Sequence, residues 1–267
     1  MGFLSEMLGG KDEHIPAVDK KIVEKALNEA LWPVLKAHGF QTFKGCTAWR
    51  HQDKKIDVVE IQLFPKAQVD KWGITPYSFA LPVGCFFPFV PSLYEPRIKR
   101  ENGLLLPDEP QSHLRKTTFK SFKQRECKIP NIWYIDPKGK YLNAAIEDAK
   151  NLLGGEVDAW FERFNDFSVL LKYLTEIPRA DIALGMTLGF PRHLTGFLAL
   201  EIGEWSLAKN LLQNELNSDL LNPGSARVAN LFNDKVVARI TKDEAAFNDK
   251  VAAGIAKAEA ALRGSDS

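Results

Sequence analysis

Asp57 and the run Glu60-x-Gln62 stand on a strand-like stretch, where carboxylates brought together on one face could hold a divalent cation. Period-two alternation instead sends Asp57 to the opposite face from Glu60. Glu60 and Gln62 are therefore expected to form a polar site on the sheet, with their side chains satisfying neighbouring sheet or loop groups.

A second set is basic: Arg115, Lys116, Lys120, Lys123, Arg125 and Lys128, interleaved with Phe119 and Phe122. Cations among aromatics can follow a phosphate backbone and stack on bases, which makes this stretch the candidate interaction or anion surface. The same pattern fits a solvated strand whose phenylalanines point into the core. The acidic run around Glu60 resembles the metal-binding strand of nucleases, but Gln62 stands where those enzymes carry a lysine.

Thiols and imidazoles supply no third set. Cys46 and Cys85 fall on strand-like segments, where a buried thiol behaves as a small apolar side chain. His38, next to Gly39, is placed as a cation at a helix C-terminus. His51, His113 and His193 lack the clustered Cys and His that zinc requires. Gly9-Gly10 and Gly154-Gly155 lack the strand before and the Lys-Ser or Lys-Thr after that a phosphate loop needs. No catalytic residue, metal or cofactor is read from the sequence.

The elements that must position these residues start after an unpatterned stretch, residues 1–16, expected to be a loose arm. Ile22, Val23, Ala26, Leu27, Ala30, Leu31, Val34 and Leu35 then recur at helical spacing, with Gly39 as the C-cap and Pro33 expected to kink or split the helix. Gln41–His51 and Lys55–Phe64 read as a hairpin turning at Asp53-Lys54. Thr75–Phe87 alternates as a third strand, with Pro82 predicting an edge or a bulge. Residues 88–113 read as a long excursion, and Ile132–Ile135 as a short strand closed by the turn Asp136-Pro137-Lys138-Gly139.

Beyond Lys140 the spacing is helical to the end. One helix is expected to stop at Gly154-Gly155, followed by helices around Val157–Phe164 and Val169–Leu174. Gly203, Trp205 and Ala208 have the spacing of the turn in a tetratricopeptide helical hairpin, here a single unit and so structural. Ser225 is expected to open a further helix through Ile240. Thr241-Lys242-Asp243-Glu244 has capping-box spacing for a last one, whose narrow stripe of Phe247, Val251, Ile255, Ala258 and Leu262 suits packing along the body, ahead of pairing with a partner helix. The fold class is α+β: an N-terminal helix on an antiparallel sheet over residues 17–140, then a helical region over 141–267.

The 267 residues are 45% hydrophobic, enough to build a core without disulfides. Thirty-five basic against thirty-four acidic residues leave no global field to gather nucleic acid or an anionic membrane. Glu6 interrupts the apolar stretch at the N-terminus and sits where a myristoylation signal wants Ser or Thr, so neither a secretory leader nor that lipid anchor is expected. No window approaches the run of about 18 apolar residues of a spanning helix. Three scattered cysteines do not read as a disulfide framework, and the expected location is cytoplasmic.

Leu35-x-x-His38-Gly39-Phe40, the Trp49-Arg50 pair, Val59-Glu60-Ile61-Gln62 and Phe79-Ala80-Leu81-Pro82-Val83-Gly84 together resemble a bacterial family known only as a domain of unknown function, over residues 20–175. The resemblance implies an α+β domain and, from relatives with similar small domains, an immunity or interaction role; it carries over no catalytic residue. The leading expectation is a non-catalytic protein–protein interaction module, immunity- or adaptor-like, whose partner is another protein. The excursion Phe89–Pro110, rich in Pro, Tyr and Arg, supports it. The rival is a nucleic-acid-associated protein or divergent metal-dependent nuclease using residues 115–128 and Glu60.

Overall fold

The computed structural model describes residues 20–91, 97–176, 191–216 and 234–265. The expected arm at 1–16 lies outside them. Helix α1 (Lys20–Ala37) buries Val23, Ala26, Leu27, Leu31 and Leu35, the stripe its spacing demands. It runs unbroken through Pro33, contrary to the expected split. Pro33 and Glu29, whose carbonyl loses its helical donor, are both exposed, so water can replace the missing bond. Gly39, at φ 83°, ends the helix, and the Phe40 amide reaches back to the Leu35 carbonyl at 3.0 Å.

Five strands form an antiparallel sheet: β1 (Thr42–Lys44), β2 (Thr47–His51), β3 (Ile56–Glu60), β6 (Val83–Phe86) and β9 (Leu114–Lys116), in the order β1-β2-β3-β6-β9. The hairpin at Asp53-Lys54 pairs His51 with Ile56 and Thr47 with Glu60. Gln41–His51 is two strands rather than one, with Gly45 (φ 60°) and Cys46 in the turn between β1 and β2. Cys46 is thus a turn residue, not a strand residue.

Thr75–Phe87 is likewise divided. β4 (Gln62–Leu63) and β5 (Phe79–Ala80) pair as a small separate sheet, and the chain bends at Leu81-Pro82 to enter β6. Pro82 therefore sits at a bend between two sheets, its carbonyl accepting the Glu60 amide at 3.1 Å. β6 itself is internal, between β3 and β9. Helix α2 (Lys66–Trp72) follows β4 and ends at Gly73, φ 61°. The expected strand at Ile132–Ile135 reduces to one bridge, where Trp133 and Phe79 exchange backbone hydrogen bonds and stack at 5.3 Å.

Two layers cover the large sheet. One face carries Ala48, Val59, Val83, Cys85 and Leu114 against the helices. The other carries Trp49, Ile56, Val58 and Phe86 beneath Ile98 and Leu106. That second cover comes from the excursion, which contains a hairpin, β7 (Lys99–Glu101) and β8 (Leu104–Leu106), turning at Asn102-Gly103 with φ 50° and 82°. Trp49 Nε1 donates to the Pro107 carbonyl at 2.7 Å, and Lys44 pairs with Glu101 at 2.5 Å, fixing it in place.

Helix α3 (Leu142–Leu152) does not stop at Gly154-Gly155. It widens into a π turn over Leu153–Val157 and continues as α4 (Asp158–Arg163). The two glycines keep right-handed dihedrals, so the extra residue is absorbed as a bulge that keeps Leu153 and Val157 buried. After α5 (Phe167–Glu176) come α6 (Pro191–Glu201) and α7 (Trp205–Leu216), a hairpin turning at Gly203 with φ 85°, and then α8 (Asp234–Ser265). Ala208 is buried, and a Cβ on Gly196 or Gly254 would meet Leu212 at 2.6 or 3.0 Å, which is how the three helices approach so closely. Thr241 lies inside α8, so the expected capping box opens no helix; residues 225–233 lie outside the described set. Val251, Ile255 and Ala258 are buried against the body. The main core is continuous from Val23 to Ala258, joining the sheet half to the helical half.

Between the sheet and α4 lies a buried ion cluster. Asp57, fully buried, receives Arg50 Nε at 2.8 Å and Lys55 Nζ at 3.2 Å, and the Cys85 thiol at 3.4 Å. Arg50 Nη1 also reaches Asp158, Glu162 and the His38 carbonyl, and Lys55 donates to the Phe161 carbonyl at 2.8 Å. Asp57→Asn keeps the shape but leaves two buried cations short of a counter-charge, and should cost about 3–5 kcal/mol in urea unfolding. A loss below about 1 kcal/mol would contradict this account.

Candidate functional site

On the face of β3 opposite Asp57 stands Glu60. Register puts Arg115 on that same face, because Arg115 pairs with Gly84 and Gly84 with Val58. The two approach a single-turn 3₁₀ segment, Glu109–Gln111, in which the Asp108 amide donates to Gln111 Oε1 at 2.8 Å. The result is a polar cleft of about 190 Å³, lined chiefly by Glu60, Gln62, Glu109, Arg115, Thr117 and Asn131.

The cleft has more negative than positive charge. Glu109 is buried, and Arg115 grips it with both ends of its fork, Nε to Oε1 at 2.7 Å and Nη2 to Oε2 at 2.8 Å. Burial pushes the Glu60 carboxyl above its ordinary range, and the nearby carboxylates of Glu109 and Asp108 push it further. The Glu109 backbone amide and Arg115 oppose that shift. Glu60 and Asp57, on opposite faces of β3, cannot converge on one ion, and among the described residues no group of three or more His, Cys, Asp or Glu is placed to hold a metal. Glu109, Thr117 and Asn131 were not expected here. Asp108-x-x-Gln111, a polar pair at cap spacing, was the one local signal.

The basic stretch does not form one surface. Only Leu114–Lys116 is strand, and alternation there sends Arg115 to the cleft while Lys116 turns to the helical side and pairs with Glu156 at 2.5 Å. From Thr117 to Asn131 the backbone is irregular. It is held by side chains: Thr118 Oγ1 donates to the Leu81 carbonyl at 2.6 Å, Gln124 bonds the Tyr134 backbone through both its oxygen and its nitrogen, and Ser121 donates to Asp148. Lys120 donates to the carbonyls of Ile129 and Ile132, and burial lowers the pKa of its ammonium.

Lys123, Arg125 and Lys128 are exposed. The expectation that both phenylalanines point inward holds for one of them: Phe122 packs on the core, whereas Phe119 is 51% exposed. The segment itself encloses a second recess of about 410 Å³, with Phe122 and Cys127 at its floor and Lys120, Lys123, Lys128 and Pro130 around it. Burial holds two of the thiols in their neutral form. Cys85 is fully buried with its pKa raised by desolvation, and burial with Glu24 and Glu60 nearby pushes Cys46 up to about 12.

Comparison with protein-family models, curated proteins and solved structures found no match. The resemblance carried by the His-Gly-Phe and Phe-Ala-Leu-Pro-Val-Gly segments gains no support from them. No described helix is long and apolar enough to cross a membrane.

Because the folded state holds the Glu60 proton more tightly than the unfolded chain, Glu60 lowers stability once both states have lost that proton, and the penalty fades as pH falls to the ordinary Glu range. Glu60→Gln should therefore raise the thermal midpoint at pH 7, with the gain shrinking toward pH 4. Scanning calorimetry across that range checks it, and a gain independent of pH would refute it.

Proposed function

We propose that the protein is a non-catalytic interaction module of the bacterial cytoplasm, immunity- or adaptor-like, that engages another protein through the segment Thr117–Asn131. The observation that carries this reading is a stretch of irregular backbone held rigid by side-chain-to-backbone hydrogen bonds while it presents Phe119, Lys123 and Arg125 to solvent. Irregular segments on a rigid scaffold commonly carry recognition. One that is already ordered loses little entropy on binding. An exposed aromatic beside cations is the composition of an interface anchor.

Its location agrees with the three unbridged cysteines, Cys46, Cys85 and Cys127, which suit a reducing compartment. The nucleic-acid reading is less well supported. Arg115 and Lys116 are paired with carboxylates on opposite faces of β9, which interrupts any phosphate track across the basic stretch.

Tagged protein purified from its native host should carry a stoichiometric protein partner. Phe119→Asp, at an exposed position that should spare the fold, should release it. Nucleic acid as the sole co-eluting species would favour the rival reading, and protein that elutes alone would overturn both.

A further inference from the structure

The recess floored by Phe122 and Cys127 combines apolar and basic walls, and none of its eight lining residues is acidic; the Asp148 carboxylate next to Ser121 is taken up by the Ser121 amide and Trp133 Nε1. Lys123 and Lys128 stand exposed at its edge. Lys120 is anchored between two backbone carbonyls, so its charge is fixed at the wall rather than free to swing into solvent. Phe122 and Cys127 belong to the core and satellite clusters beneath, which makes the floor rigid.

We infer that this recess docks an acidic segment of a partner protein, seating one apolar side chain on the floor made by Phe122 and Cys127 while its carboxylates meet Lys123 and Lys128. This rests on the interaction reading above and adds the partner's chemistry. Charge complementarity selects an anion, and the floor selects a ligand carrying an apolar side chain beside that charge. A volume of about 410 Å³ suits a single anchored side chain with its neighbours. A nucleic-acid strand would need a longer run of free cations, and the two that precede the segment, Arg115 and Lys116, are neutralised by Glu109 and Glu156.

Fluorescence anisotropy of the full chain tests this with a labelled eight-residue peptide alternating glutamate and leucine, a version with serine for leucine, and a labelled single-stranded oligonucleotide. The glutamate–leucine peptide should bind saturably and weaken with salt, and the serine version should bind at least fivefold more weakly. Lys123→Glu with Lys128→Glu should weaken binding at least tenfold, and the milder Lys123→Gln with Lys128→Gln should weaken it in the same direction. Lys99→Glu with Arg100→Glu, an equal charge change on the β7 strand, should leave it within twofold. Absence of peptide binding, equal loss in the β7 pair, or an oligonucleotide bound more tightly through the same lysines would each overturn the inference. If a native partner co-purifies through Phe119 while the peptide fails, only this assignment falls; if no partner is found either, the interaction reading falls with it.

Discussion

Asp57 is the constraint on which the rest of the structure depends. It is a fully buried carboxylate set between two nearly buried cations, and each cation ties the sheet to a different helical feature. Arg50 spans from Asp57 to the end of α1, through the His38 carbonyl, and to α4 through Asp158 and Glu162. Lys55 spans to the Phe161 carbonyl. Arg50 also lies between the rings of Phe40 and Phe161, at 5.3 and 5.5 Å from their centroids, so the guanidinium edge that makes no hydrogen bond, Nη2, rests among aromatic faces. Burial works against the charge on Arg50, and the attraction of Asp57, Glu162 and Asp158 more than offsets it. A cluster of this kind adds little net stability over apolar packing, but losing one of its members leaves a buried charge unpaired. It ties the end of α1 and both Asp158 and Glu162 of α4 to the sheet.

That arrangement decides where function can reside. The polar groups on the helical face of β2 and β3 are consumed by internal pairing, and Cys85 on β6 is drawn into the same cluster. The middle of the opposite face is sealed by the β7–β8 hairpin, with His51 Nε2 at 2.9 Å from the Leu105 carbonyl. What stays open is the end of the sheet where β3, β6 and β9 run out. The Glu60 cleft lies there, and the Thr117–Asn131 segment continues directly from β9.

Helix α1, its glycine stop and the β2–β3 hairpin were legible because each rests on a local rule: periodicity, a positive φ, a polar turn between alternating runs. The opposed faces of Asp57 and Glu60 followed from the same alternation. The β7–β8 hairpin was equally local, since Asn102-Gly103 is a strong turn signal, but the proline-rich flanks hid it. Other features depend on partners that no local pattern names. Pro82 predicts an edge or a bulge because it lacks a donor, whereas the chain passes there from one sheet to the other. Gly154-Gly155 reads as a stop, yet neither glycine takes a positive φ and the helix passes through them as a π turn that keeps Leu153 and Val157 buried. The basic run looked continuous in one dimension. Alternation at Arg115 and Lys116 and the bonds of Lys120 to two carbonyls divide it in three.

The division of that basic run also limits how any partner can be recognised. With a formal net charge of +1 the molecule has no long-range field to steer an encounter, and the cations left exposed at Lys123, Arg125 and Lys128 act within a Debye length of roughly 8–10 Å. Association then depends on short-range fit, so selectivity must come from the shape of the segment together with the charges it holds close to a bound partner. The hydrogen bonds that hold Thr118, Gln124 and Lys120 are what preserve that shape, and each is a side chain reaching backbone rather than a ladder between strands. The irregular backbone of Thr117–Asn131 thus has bonds of its own in place of a ladder, and a surface ordered in that way loses less entropy when a partner arrives.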